Sequence, residues 1–122
     1  MSRVVIAVVD DMFFASKIRA VAEAVGVEIS FPRSKEALIQ KTQEADLILV
    51  DLHNQRLDPI ALAAELKANQ KVRMIGFFSH VETELQRRAI KAGFDQVLPR
   101  SAFSRDLPKI LSTDYTDYAD EE

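Results

Sequence analysis

Two hydrophobic periodicities alternate along the chain. Val4-Val5-Ile6-Ala7-Val8-Val9 is an unbroken apolar run, and residues 3–9 are predicted as a first strand. A run without alternation suits a strand covered on both faces, as in a parallel sheet. Phe14, Ile18, Val21, Ala22 and Val25 then recur at helical spacing, and Gly26 is placed to end that helix. Val27, Ile29 and Phe31 alternate with polar residues, the pattern of a half-buried strand nearer a sheet edge. Pro32 breaks it, and Ser34 can cap a second helix over 35–44. Residues 46–51 form a third strand whose apolar run, Leu47 to Val50, stops at Asp51.

The second half repeats the alternation. A loop over 52–57 holds His53, Asn54, Gln55 and Arg56. Asp58-Pro59 pairs a capping acid with proline at the first helical position, so a third helix starts there. Ile60, Leu62, Ala63 and Leu66 are its inward residues. Residues 72–78 make a fourth strand. Ser79, with Glu82 three places later, reads as a capping box. Val81, Leu85, Ala89 and Ala92 mark the buried face of the helix it would start, and Gly93 its end. Residues 96–98 are a short fifth strand and 99–101 a loop. Ser104 is predicted to cap a fifth helix running to 111, with Pro108 in its first turn or just past it.

Five strand-helix units predict an α/β fold, a parallel sheet with helices on both faces. Residues 1–111 are expected to form one domain. Residues 112–122 are polar and acidic, an expected disordered tail or the start of a linker.

Composition narrows the functional classes. Hydrophobic residues make up 48% of the 122, enough for a packed core. The chain has no cysteine, which removes disulfides, zinc-thiolate sites and thiol nucleophiles. No apolar run approaches the roughly 18 residues of a membrane span. No cleavable leader is evident after Met1-Ser2-Arg3, so a cytoplasmic protein is expected. The net charge of −3 comes from the C-terminal segment, since 112–122 carries five acids and no base. Residues 1–111 hold 14 acids against 16 bases, too weak a surplus to argue direct nucleic-acid binding.

The candidate chemistry lies in acids at strand ends. Asp10 and Asp11 follow the first strand, and Asp51 ends the third. In open α/β sheets, ligands bind at the carboxyl ends of the strands. If these two strands are neighbours, three carboxylates converge. Their mutual repulsion is roughly several kcal/mol in a partly desolvated pocket. A shared proton with a raised pKa would relieve it. So would a divalent cation; oxygen donors of this kind suit Mg²⁺.

These residues carry a resemblance. Val8-Val9-Asp10-Asp11, Leu47-Ile48-Leu49-Val50-Asp51, Met74-Ile75-Gly76-Phe77-Phe78-Ser79 and Ala92-Gly93-Phe94-Asp95 resemble the receiver domain of two-component response regulators, in order and spacing, over residues 3–111. The resemblance implies a flavodoxin-like (βα)5 fold with strand order 2-1-3-4-5. It implies that Asp51 accepts a phosphoryl group from a histidine kinase or phosphotransfer protein, so that the chain is a phosphoacceptor rather than an enzyme. It further implies Mg²⁺ held by Asp10, Asp11, Asp51 and the backbone carbonyl of His53. Ser79 matches the hydroxyl that turns toward the acyl phosphate. The face formed by helix four, strand five and helix five matches the docking and dimerisation face, here carrying Arg87, Arg88, Lys91, Arg105 and Lys109. A downstream protein target or a fused output domain would complete the pathway.

The sequence departs from the receiver pattern at its read-out positions. Arg100 stands where the family has lysine, with Pro99 before it and Ser101 after it. Arginine keeps the charge but is planar and bulkier. Val97 replaces the aromatic switch of strand five, and Gln55 and Pro59 replace the loop's proline and glycine. Phe78 and His80 flank Ser79. A divergent receiver with an altered output switch is the expectation. The alternative is a pseudo-receiver that docks proteins without phosphate. Asp51-x-His53 also resembles a cobalamin-binding loop, but Arg56 stands where that loop needs glycine. Gly-rich nucleotide loops are absent, so nucleotide enzymes are disfavoured.

Overall fold

A computed structural model describes residues 4–54, 56–69 and 72–112. The elements are β1 (Val4–Val8), α1 (Met12–Val25), β2 (Glu28–Ser30), α2 (Lys35–Thr42), β3 (Leu47–Asp51), α3 (Pro59–Asn69), β4 (Arg73–Phe78), α4 (Thr83–Ala92), β5 (Gln96–Pro99) and α5 (Arg100–Ser112). All strand pairings are parallel, in the order β2-β1-β3-β4-β5. This is the flavodoxin-like architecture expected from the alternation and the resemblance. No helix of the described residues is long and apolar enough to cross a membrane. Residues 1–3, 55, 70–71 and 113–122 lie outside the described residues; of the predicted tail, 112–122, only Ser112 is described, as the last residue of α5.

The central strands are apolar throughout because both sheet faces are covered. On one face, Val5, Ala7, Leu47, Leu49, Ile75 and Phe77 pack against α1 and α5. On the other, Ile6, Val8, Ile48, Val50 and Met74 meet residues of α2, α3 and α4. The three rings of Phe14, Phe77 and Phe103 lock α1 and α5 to β4. Phe77 and Phe103 stack with centroids 4.6 Å apart, and Phe14 tilts onto Phe77 at 5.1 Å.

Local signals place most boundaries. Gly26 ends α1 with φ 77°, a left-handed conformation that glycine adopts without a Cβ penalty. The Ser34 hydroxyl accepts from the Ala37 N–H at 3.1 Å, and the Asp58 carboxylate from the Ile60 and Ala61 N–H groups at 3.1 and 3.3 Å. Gly76 sits in the middle of β4 for a packing reason. A Cβ there would lie 3.0 Å from Leu52 Cδ2 and 3.2 Å from Phe94 Cδ1.

Two expectations fail. Ser79 does not cap α4, which starts at Thr83 with Glu82 at the N-cap and no side-chain capping bond. β4 runs to Phe78, and the reversal into a helix needs a connection of its own, which residues 79–82 provide. Val81 is consequently not on a buried face; it is 81% exposed. Likewise α5 begins at Arg100, not after Ser104. Phe103, Leu107, Ile110 and Leu111 are all buried at helical spacing, and that burial holds the early turn and carries Pro108 inside the helix. An interior proline costs about 3 kcal/mol in isolation. Here it lies on the exposed side.

Candidate functional site

The register of the sheet brings the chosen residues to one edge. Val8 pairs with Val50, so Asp10 and Asp11 emerge beside the end of β3, where Asp51 pairs with Phe77. Phe78 pairs with Pro99, so Ser79 and Arg100 leave the next two strands at a common level. These five sequence-selected residues therefore lie on the carboxyl edge of the sheet.

Asp51 is half-buried. Its Oδ1 accepts from the His53 N–H at 2.9 Å, while Oδ2 has no hydrogen-bond partner among the described residues. Asn54 then fastens the loop. Its N–H donates to the Asp51 carbonyl at 3.0 Å, and its Oδ1 accepts from the Arg56 and Leu57 N–H groups at 2.9 and 2.8 Å. An Asx turn of this kind fixes the direction in which the following residue leaves. Arg56 leaves toward Asp10 and pairs with its Oδ1 at 2.8 Å.

Asp11 has two duties. Its Oδ1 accepts from the Phe13 and Phe14 N–H groups at 2.9 and 3.1 Å, capping α1. Its Oδ2 pairs with Arg100 Nη2 at 2.9 Å. The Arg100 guanidinium carbon lies over the Phe14 ring, 4.0 Å from its centroid, a cation–π arrangement. Its Nη1 reaches Ser79 Oγ at 3.4 Å, a long contact. The hydrogen bond from Arg100, helped by that from the Phe14 N–H, holds the Asp11 carboxyl below the usual carboxylate range.

The repulsion expected among the three acids is thus relieved by two guanidinium groups. Asp11 is pushed down, not up, so it is not the holder of a shared proton. Among the described residues no three His, Asp or Glu side chains stand together as a ready-made metal site. In kind, the donors fit Mg²⁺, being carboxylates and a carbonyl oxygen. Asp10 and Asp11 remain 42% and 40% exposed at their side chains, so an ion can reach them by displacing the arginines.

The remaining selected groups are dispersed. The His53 side chain turns to Glu82, with Nδ1 3.5 Å from Oε2, and meets the His80 ring edge-on at 5.7 Å. On the α4–β5–α5 face, Arg87 is tied to Glu84 at 2.6 Å and Arg105 to Asp106 at 3.0 Å. Part of that basic run is therefore neutralised locally. Sequence reasoning missed Arg56 and Asn54 as parts of the site. An Asx turn was legible for Asn54. Nothing local marks Arg56 as the partner of Asp10.

No family model matches the sequence, and no curated protein does. Solved structures do. A CheY-like response regulator receiver domain protein from Methanospirillum hungatei JF-1 matches with a TM-score of 0.81 at 18% identity, over 100% of both chains. A signal receiver domain from Bermanella marisrubri matches at 0.76 and 20%, over 90% of this chain and 95% of that one. A response regulator from Burkholderia pseudomallei, solved with a phosphorylated aspartic acid, a calcium ion and citrate, matches at 0.76 and 20%, over 98% and 72%. The fold is that of receiver domains, reached with little sequence in common.

Proposed function

We propose that this chain is a divergent receiver module of a two-component signalling pathway, with Asp51 as phosphoryl acceptor. The observation that carries the reading is the state of Asp51 itself. One oxygen is anchored by the His53 N–H, and the other has no hydrogen-bond partner among the described residues, at the ligand-binding edge of a receiver fold. Anchoring one oxygen orients the second for in-line attack. In the transfer, that oxygen attacks phosphorus of a phosphohistidine, the P–N bond breaks, and the imidazole leaves with its electron pair and takes up a proton. An aspartyl phosphate remains. Mg²⁺ would be held by Asp10, Asp11 and Asp51 with the His53 carbonyl, and would neutralise charge on the phosphoryl oxygens. Arg100 and Ser79 stand one residue past paired strand ends, where a guanidinium and a hydroxyl can receive phosphoryl oxygens.

The partners on this reading are a histidine kinase or phosphotransfer protein upstream and a protein target or output domain downstream. The α4–β5–α5 face is the docking surface, or a homodimer contact. One observation favours the second reading, a pseudo-receiver: both acids beside Asp51 are already paired with arginine. Incubation with acetyl phosphate and Mg²⁺ separates the two. Mass spectrometry should find one added phosphoryl group, absent in Asp51→Asn. An unmodified protein under conditions that label an ordinary receiver would reject the acceptor role, and partner binding unchanged in Asp51→Asn would establish the pseudo-receiver.

A further inference from the structure

Beside the acid edge, and sharing Ser79 and Arg100 with it, lies an open cavity of about 520 Å³ between α1, the β4–α4 connection and the first turns of α5. Its polar lining is one-sided in charge. Lys17, Arg100 and His80 contribute basic groups, Ser79, Ser101 and Ser104 contribute hydroxyls, and among the described residues no carboxylate lines it. Among the described residues the Lys17 ammonium has no ion-pair partner, and the Ser101 and Ser104 hydroxyls make no hydrogen bond. Its apolar wall comes from Phe78, Val81 and Pro99. Val81 is 81% exposed there, a large apolar side chain with nothing packed over it.

We propose that this cavity binds a small organic phosphomonoester, its phosphate held by Lys17 and Arg100 and its apolar body lying against Phe78 and Val81. Two cations with hydroxyl donors favour a dianion, which competes with Asp11 for Arg100. The start of α5 adds the positive end of a helix dipole on the same side. The volume exceeds what phosphate alone fills and suits an ester carrying a ring or a short chain. The site is linked to the acid edge through one residue. Arg100 now bonds Asp11 at 2.9 Å, so a phosphate that draws the guanidinium into the cavity frees an oxygen of Asp11. Asp51 does not line this cavity, and the proposal does not rest on its phosphorylation.

Phenyl phosphate is the probe, titrated at low salt while backbone amide shifts are followed by NMR. Saturable shifts are expected at residues 79–81 and 100–104, with a further shift at Asp11 as its partner leaves. Lys17→Gln and Arg100→Gln should each weaken binding by about ten-fold, the size of one charge-assisted contact. Lys91→Gln, which does not line the cavity, should not. Phenol binding as tightly as phenyl phosphate would overturn the proposal, as would an affinity unchanged in Lys17→Gln. Asp51→Asn should retain binding; its loss would place the ligand at the acceptor instead. Phosphoryl transfer to Asp51 is read separately by mass, so either idea can fail alone.

Discussion

Arg100 Nη2 lies 2.9 Å from Asp11 Oδ2, joining the first residue of α5 to the cap of α1 across the sheet edge. The cation lies over the Phe14 ring and spans from Asp11 to Ser79. A lysine could supply the charge but not both contacts in one plane. Arg100 therefore connects the acid pair, the hydroxyl of the β4–α4 connection and the neighbouring cavity.

Acid titration tests this link. The Asp11 carboxyl is held below its ordinary value of 3.8, first by Arg100. The unfolded chain therefore takes up the proton at higher pH than the folded one. Stability from this group is complete above about 3.8 and is lost as pH falls through the lowered folded value. In Arg100→Ala the Asp11 midpoint, followed by carboxyl-carbon NMR, should move part of the way back up, the α1 cap bonds remaining. An unchanged midpoint would mean that the pair does not persist in solution.

Metal uptake tests the competition between arginine and cation. Removing one arginine leaves an uncompensated carboxylate. The exposed pairs are worth at most about 1 kcal/mol each, so Arg56→Ala and Arg100→Ala should each tighten Mg²⁺ binding by up to about five-fold. Amide shifts at Asp10, Asp11 and Asp51 during a Mg²⁺ titration would measure it. Equal affinities in wild type and both variants would remove the arginines as competitors.

Asn54 is expected to hold the loop that aims Arg56. Asn54→Ala strips the acceptor from two N–H groups and should cost about 1–2 kcal/mol. Hydrogen exchange at Arg56 and Leu57 should quicken. Asn54→Asp keeps the acceptor and should restore the protection. Exchange unaffected by the alanine would show that the turn stands without this side chain.

Gly76→Ala probes the centre of the sheet. The added methyl meets Leu52 at 3.0 Å and Phe94 at 3.2 Å, so both side chains must shift. Overpacking of this kind costs about 1–3 kcal/mol and should lower Tm by several degrees. A Tm equal to wild type would mean that Leu52 yields freely.

Ser79 shows where local reading ends. Its spacing to Glu82 is a sound capping pattern, yet the chain uses 79–82 to turn, and α4 starts without a side-chain cap. The α5 boundary failed for a related reason. Pro108 and Ser104 spoke locally for a late start, and the burial of Phe103 against Phe77 outweighed them.

The residue pattern alone was enough for the five-unit alternation, the parallel sheet, the caps at Ser34 and Asp58, and the placing of three acids at one edge. Those features depend on periodicity and on contacts within a few positions, which a linear string records. Folding decided what neutralises the acids. Asp10 meets Arg56 and Asp11 meets Arg100 only because parallel strands of fixed register end side by side. A contact between residues 89 apart has no local signature; it exists when packing has brought the two ends of the chain to the same edge.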